Sequence, residues 1–141
     1  MKVVIDTNVV LDLFVFRDAR TETLRQSLRS GEWQWIATPP MRDELHHVLA
    51  YPHLAAKLLQ ADLQGADVLA RFDAWVVLEP EAPKAIYTCK DADDQKFVDL
   101  AVAHQTALVS KDKAVLCMAK RLARLSVRVM PEVTPVQHAL E

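Results

Sequence analysis

Four carboxylates, Asp6, Glu44, Asp94 and Asp112, are spread along 141 residues in a way that becomes chemistry if the fold brings them together. Asp6 follows Val3-Val4-Ile5, a β-branched run of the kind that fills a strand buried on both faces. A charge at the end of such a strand is costly unless something pairs with it. The first basic residue after Asp6 is Arg17. Carboxylates a few ångströms apart repel and raise one another's pKa unless a cation intervenes. Hard divalent ions with oxygen ligands, Mg²⁺ or Mn²⁺, meet that need. Held at such a cluster, they stabilise in-line displacement at phosphorus and activate an attacking water.

The elements that must position these residues alternate between strand and helix. Strands are predicted over 3–5, 33–38, 75–78, 107–109 and 127–130. Between them, helices are predicted around Val9–Phe14 positions 9–14, over 21–29 with Gly31 as its stop, and over 41–50 entered through Pro39-Pro40. A helical pair follows over 53–60 and 66–72, with Gly65 as hinge, and 81–90 reads as a loop. An amphipathic helix introduced by 91–94 carries Phe97, Val98, Leu100 and Ala101; Asp112 opens another that reaches Leu122, and 135–140 reads as a last helical turn. This alternation gives an α/β fold with right-handed crossovers and a mainly parallel sheet covered on both faces. In such a sheet every strand ends at the same edge. Asp6 directly follows the first strand, Glu44 lies early in the helix after the second, Asp94 starts the helix after the third, and Asp112 follows the fourth. All four are therefore expected at the carboxyl edge. Asp94 and Asp112 also read as ordinary helix-start acids, but Asp6 and Glu44 do not.

Bulk properties exclude several classes. Residues 1–141 read as one domain of ordinary globular composition, and no apolar run approaches the ~18–20 residues of a membrane span. A cytoplasmic location is expected, with Cys89 and Cys117 as free thiols, since their spacing fits no metal or redox motif. A net charge of −2 argues against a protein that coats nucleic acid by charge alone. With only Gly31 and Gly65 present, neither glycine-rich phosphate loop can be written, which argues against a nucleotide cofactor.

The sequence resembles the PIN-domain ribonuclease family over nearly its whole length. The resemblance rests, in order, on VVIDTNVVLD from position 3, PPMRDELHHVL from 39, DADDQKFVDLA from 91 and LVSKDKAVL from 108. It implies a three-layer α/β/α sandwich with a five-stranded sheet in the order 3-2-1-4-5. It also implies a metal-dependent endoribonuclease in which Asp6, Glu44, Asp94 and Asp112 hold Mg²⁺ or Mn²⁺, supported by Asn8 and Ser110, and which leaves a 5′-phosphate. Many small members are similar to VapC toxins: often homodimeric, and silenced by a cognate antitoxin. Asp91, Asp93 and Asp94 crowd one turn, so either Asp93 or Asp94 fits the third position. Asp43 stands beside Glu44, and because helix neighbours point about 100° apart, one of the two faces the site.

Other residues have plainer readings. His46, His47 and His53 lack the HExxH spacing of a zinc site. Trp33, Trp35 and Trp75 lie in or beside predicted strands and are expected in the core. Lys111, Lys113, Lys120, Arg121 and Arg124 are either a solvated helix face or an RNA phosphate track. Leu58-Leu59 and Val68-Leu69 are candidates for a dimer interface. A non-catalytic module binding RNA or a protein partner is the main alternative, against which the intact acidic quartet counts. A receiver-like phosphoacceptor would need an aspartate ending the third strand, where Glu79 stands.

Overall fold

The computed structural model describes residues 1–135. Five strands, β1 (Lys2–Ile5), β2 (Gln34–Ala37), β3 (Val76–Leu78), β4 (Ala107–Val109) and β5 (Arg128–Met130), form one sheet. Every pairing is parallel and the order is β3-β2-β1-β4-β5. Val3, Val4 and Ile5 are all buried, although successive side chains on a strand point to opposite faces. Both faces of the sheet are therefore covered at its centre.

Among the described residues the covering helices are α1 (Thr7–Leu11), α2 (Glu22–Ser30), α3 (Pro39–Leu49) and α4 (Pro52–Gln60), followed by α5 (Gly65–Trp75), α6 (Gln95–His104), α7 (Lys113–Leu116) and α8 (Ala119–Ala123). Their apolar residues and the sheet share one core, with Phe14, Trp33, Trp35, Leu45, Phe97 and Met118 among its largest buried side chains. Gly31 ends α2 with φ of 79°, a left-handed conformation that a Cβ would strain. None of these helices is long and apolar enough to cross a membrane.

Several predicted boundaries are corrected. The first helix does not simply stop: α1 passes into a π-helical segment, Asp12–Phe16, that closes on Arg17 with φ of 51°. The strand expected over 75–78 starts one residue later, because Trp75 is the last residue of α5. The reversal between α4 and α5 falls at Asp62, whose φ is 55°, while Gly65 opens α5. The single helix expected from Asp112 to Leu122 is two short ones, separated at Cys117-Met118. Leu58 and Val68 face the core, which removes one residue of each pair from the proposed dimer patch; Leu69 is half-buried and Leu59 is 82% exposed. Apart from Pro135, the helical turn predicted over 135–140 lies outside the described residues.

Candidate active site at the carboxyl edge of the sheet

The register of the central strands builds the site. Ile5 lies opposite Val109, so the next residues, Asp6 and Ser110, leave the sheet side by side. The Asp6 N–H donates to the Val109 carbonyl at 2.9 Å, and the Ser110 hydroxyl donates to Asp6 Oδ2 at 2.5 Å. Both side chains are buried, Ser110 completely. Two residues on, Asp112 is the N-cap of α7 and accepts from the Ala114 N–H at 2.9 Å. Asp94 arrives from a third direction, at the end of a 3₁₀ turn (Ala92–Asp94) that leads into α6.

Asp6, Asp94 and Asp112 each offer a carboxylate oxygen within 4.8 Å of the others. They come from three separate stretches of chain and share one sheet edge. Asp93 and Asp91 are exposed while Asp94 is buried, so Asp94 is the acid of that turn that enters the cluster. Asp43 is likewise exposed, whereas Glu44 is turned inward. Glu44 stands beside the trio and is held differently. It accepts from the Thr7 hydroxyl through Oε2 and from Lys96 Nζ at 3.1 Å through Oε1. Its charge nonetheless reaches Asp6.

The electrostatics are those of an anionic cluster short of positive charge. Burial, and then the negative charges of Glu44 and Asp112, push Asp6 up to about 6, against the pull of the Ser110 hydroxyl and the Thr7 N–H. Burial and the neighbouring carboxylates push Asp94 well above the ordinary carboxylate range. Asp112 is held below that range by hydrogen bonding from Asp94 and from the Ala114 N–H. No donor group of the protein reaches Asp94 Oδ2, which is buried. Only a proton shared with Asp112, or a cation, satisfies it. Three hard oxygen donors with no His or Cys among them fit a divalent ion of the Mg²⁺ or Mn²⁺ type.

The other predicted site residues fall in different places. Asn8 is half-buried in the first turn of α1, and its Oδ1 makes no hydrogen bond; the hydroxyl beside Asp6 comes from Ser110. Lys111 is not a free cation, because its Nζ pairs with Asp12 Oδ2 at 2.5 Å. Lys113 and Lys120 are exposed. His46, His47 and His53 are exposed and belong to no metal-ligating group among the described residues. Trp33 and Trp35 are core residues, while Trp75 is half-buried. Sequence reasoning missed Thr7, Lys96 and Asp12. The signal for Thr7 was available, since a hydroxyl next to a buried carboxylate at a helix start is a natural donor. Lys96 reaches Glu44 across the packing of α6 on α3, and Asp12, at the start of the π-helical segment, reaches Lys111 beyond β4, which no local pattern reveals.

No curated protein matches the chain. A family model described as PIN domain matches residues 2–114, a span that takes in all four carboxylates and four of the five strands, and the chain belongs to the PIN domain family.

Proposed function

We propose that this protein is an endoribonuclease that uses Mg²⁺ or Mn²⁺ at Asp6, Asp94, Asp112 and Glu44, and that it is the toxin of a type II toxin–antitoxin pair acting in the cytoplasm. PIN domains are generally nucleases. The observation that carries the reading is the meeting of Asp6, Asp94 and Asp112 within 4.8 Å around a buried carboxylate oxygen that no protein donor serves. A divalent ion bound there supplies positive charge to the phosphoryl oxygens and lowers the pKa of an attacking water.

The chain's own residues do the rest. Asp6 would be a direct ligand, its orientation fixed by the Ser110 hydroxyl at 2.5 Å. Asp112, kept ionised, and Asp94 would share the same load. Glu44, steadied by Thr7 and Lys96, would complete the shell or orient the water. The unpartnered Asn8 Oδ1 is available to that water as an acceptor. Exposed Lys113, next to Asp112 in sequence, and Lys120, on α8, would meet RNA phosphates. Displacement of the 3′ oxygen would leave a 5′-phosphate.

The toxin role, the cognate antitoxin and a homodimer rest on the family resemblance, strongest in the DADDQKF motif. The test is incubation of single-stranded RNA with the protein and Mn²⁺ beside Asp6→Asn. Cleavage by the wild type and loss of at least ~100-fold in the variant are expected, since the substitution removes a charged ligand worth several kcal/mol. Equal cleavage by both proteins would leave only the alternative, a PIN-like module that binds RNA or a partner without catalysis. Expression of the chain alone should arrest growth, and unimpaired growth would remove the toxin role.

A further inference from the structure

At the other end of the first helical segment from Asp6, a second charged feature has the opposite sign. A surface cavity of about 260 Å³ is lined by Arg17, Arg25, Arg29 and Arg71 together with Leu13, Phe14 and Trp75. Four of the chain's nine arginines thus converge on one place in a protein whose net charge is −2. Arg29 and Trp75 come just before β2 and β3, at the amino edge of the parallel sheet, so this cavity lies toward the edge opposite the carboxylates. A neighbouring cavity is lined by Leu28, Arg29, Ala74 and Trp75. The two share Arg29 and Trp75, so the feature is a groove between α2 and α5 and not an isolated hole.

Three of these cations lack counter-ions among the described residues. Among the described residues, Arg17, Arg29 and Arg71 form no ion pair, and Arg25 has only Glu22, at 3.7 Å. The nearby acids are committed elsewhere: Asp18 to Arg20 at 2.7 Å, and Asp73 to Arg42 at 2.7 Å. The fold also fixes two of the four. The N–H groups of Arg17 and Asp18 both go to the Asp12 carbonyl, as the π-turn dictates, and the Leu13 carbonyl accepts instead from Arg25 Nη2 at 2.5 Å. Arg25 is thereby pinned in the groove wall, and Arg17 is set at the groove by a left-handed backbone, φ 51°. Burial and the positive charges of Arg17, Arg29 and Arg71 lower the Arg25 pKa and outweigh the opposing charge of Glu22, the mark of cations gathered with too little anion.

We propose that this groove binds the phosphate backbone of single-stranded RNA away from the cleavage centre, with the half-buried Trp75 in its lining offering an aromatic ring to a base. Guanidinium forks match phosphate oxygens in pairs, and arginines interleaved with an aromatic ring form the usual platform for a single strand. An elongated groove suits a polymer better than a free phosphate. The proposal rests on the nuclease reading for its choice of RNA over an acidic protein segment.

The test is fluorescence anisotropy of a labelled single-stranded RNA with the full chain in EDTA, where no cleavage occurs. Arg29→Glu with Arg71→Glu, both at exposed positions, should weaken binding about tenfold or more at low salt and flatten the slope of log K against log salt by roughly 1–2. Arg29→Lys with Arg71→Lys should keep most of the affinity. Reversal of Lys57 and Lys84, exposed elsewhere, should leave it within about twofold. RNA binding that is absent in the wild type, unchanged by the arginine reversal, or weakened equally by the lysine reversal would overturn the proposal. So would tighter binding of a poly-glutamate peptide than of RNA. Mn²⁺-dependent cleavage reports on the carboxylates and binding in EDTA reports on the groove, so the two readings fail separately.

Discussion

Asp94 carries the largest strain in the site, because its buried Oδ2 finds no donor and its neighbours are carboxylates. Removing that charge should therefore stabilise the metal-free protein while destroying its chemistry, the expected conflict of stability and activity at a site. Asp94→Asn in EDTA at pH 8 is expected to melt a few degrees higher than the wild type, corresponding to about 1–2 kcal/mol. A lower melting temperature would mean that Asp94 is satisfied within the protein. Asp6 gives a pH dependence of defined sign. Its pKa rises from an ordinary 3.8 to about 6 in the folded protein, so between those values the folded state holds a proton that the unfolded chain has released. Stability of the metal-free protein accordingly falls as pH rises through that window, by on the order of 3 kcal/mol from Asp6, and Asp94 extends the loss to higher pH. Thermal melts in EDTA across pH 4–8 check this; a melting temperature that rises over that range would contradict it.

The elements differ in how openly the sequence declares them. The parallel sheet and the shared edge were legible, because β-branched runs alternate with amphipathic ones joined by right-handed crossovers, whereas the strand order 3-2-1-4-5 came from the family resemblance. The convergence of Asp6, Asp94 and Asp112 followed from that topology without any contact being known. The finer placements depend on backbone choices that leave the apolar pattern unchanged. The π-turn over Asp12–Phe16 buries the same Leu13 and Phe14 that an α-helix would, and the break at Cys117-Met118 keeps Val115 and Leu122 inside. Leu58 and Val68 read as a surface patch because one sequence does not reveal which side of a helical pair meets the core. Glu44 was placed at the right edge, but its partners Thr7 and Lys96 belong to α1 and α6 and meet it only on folding. Gly31 is the one glycine whose backbone demands it, at φ of 79°. Gly31→Ala should cost about 1 kcal/mol in a denaturant titration and leave RNA cleavage intact, since α2 ends far from the carboxylates in the chain. An unchanged unfolding midpoint would mean that the turn relaxes to another conformation.

For the molecule as a whole, one edge of the sheet is an anionic cluster and the far end of the first helical segment is a cationic groove. On the proposed function, the first would take a divalent ion and the second the RNA phosphates on which that ion would act. Ion binding to the folded state alone raises stability by mass action, about 2.7 kcal/mol at a hundredfold excess over Kd. Mn²⁺ should raise the melting temperature, and more at pH 8 than at pH 5, because protons compete for Asp6 and Asp94 at the lower pH. Equal shifts at both values would place the ion elsewhere. The most direct test of the central claim is crystallographic: anomalous scattering from crystals grown with Mn²⁺. The account predicts a peak within ligand distance of Asp6, Asp94 and Asp112, absent from crystals of Asp6→Asn. Well-ordered crystals with no peak between those carboxylates, or with the peak unchanged in the variant, would contradict it.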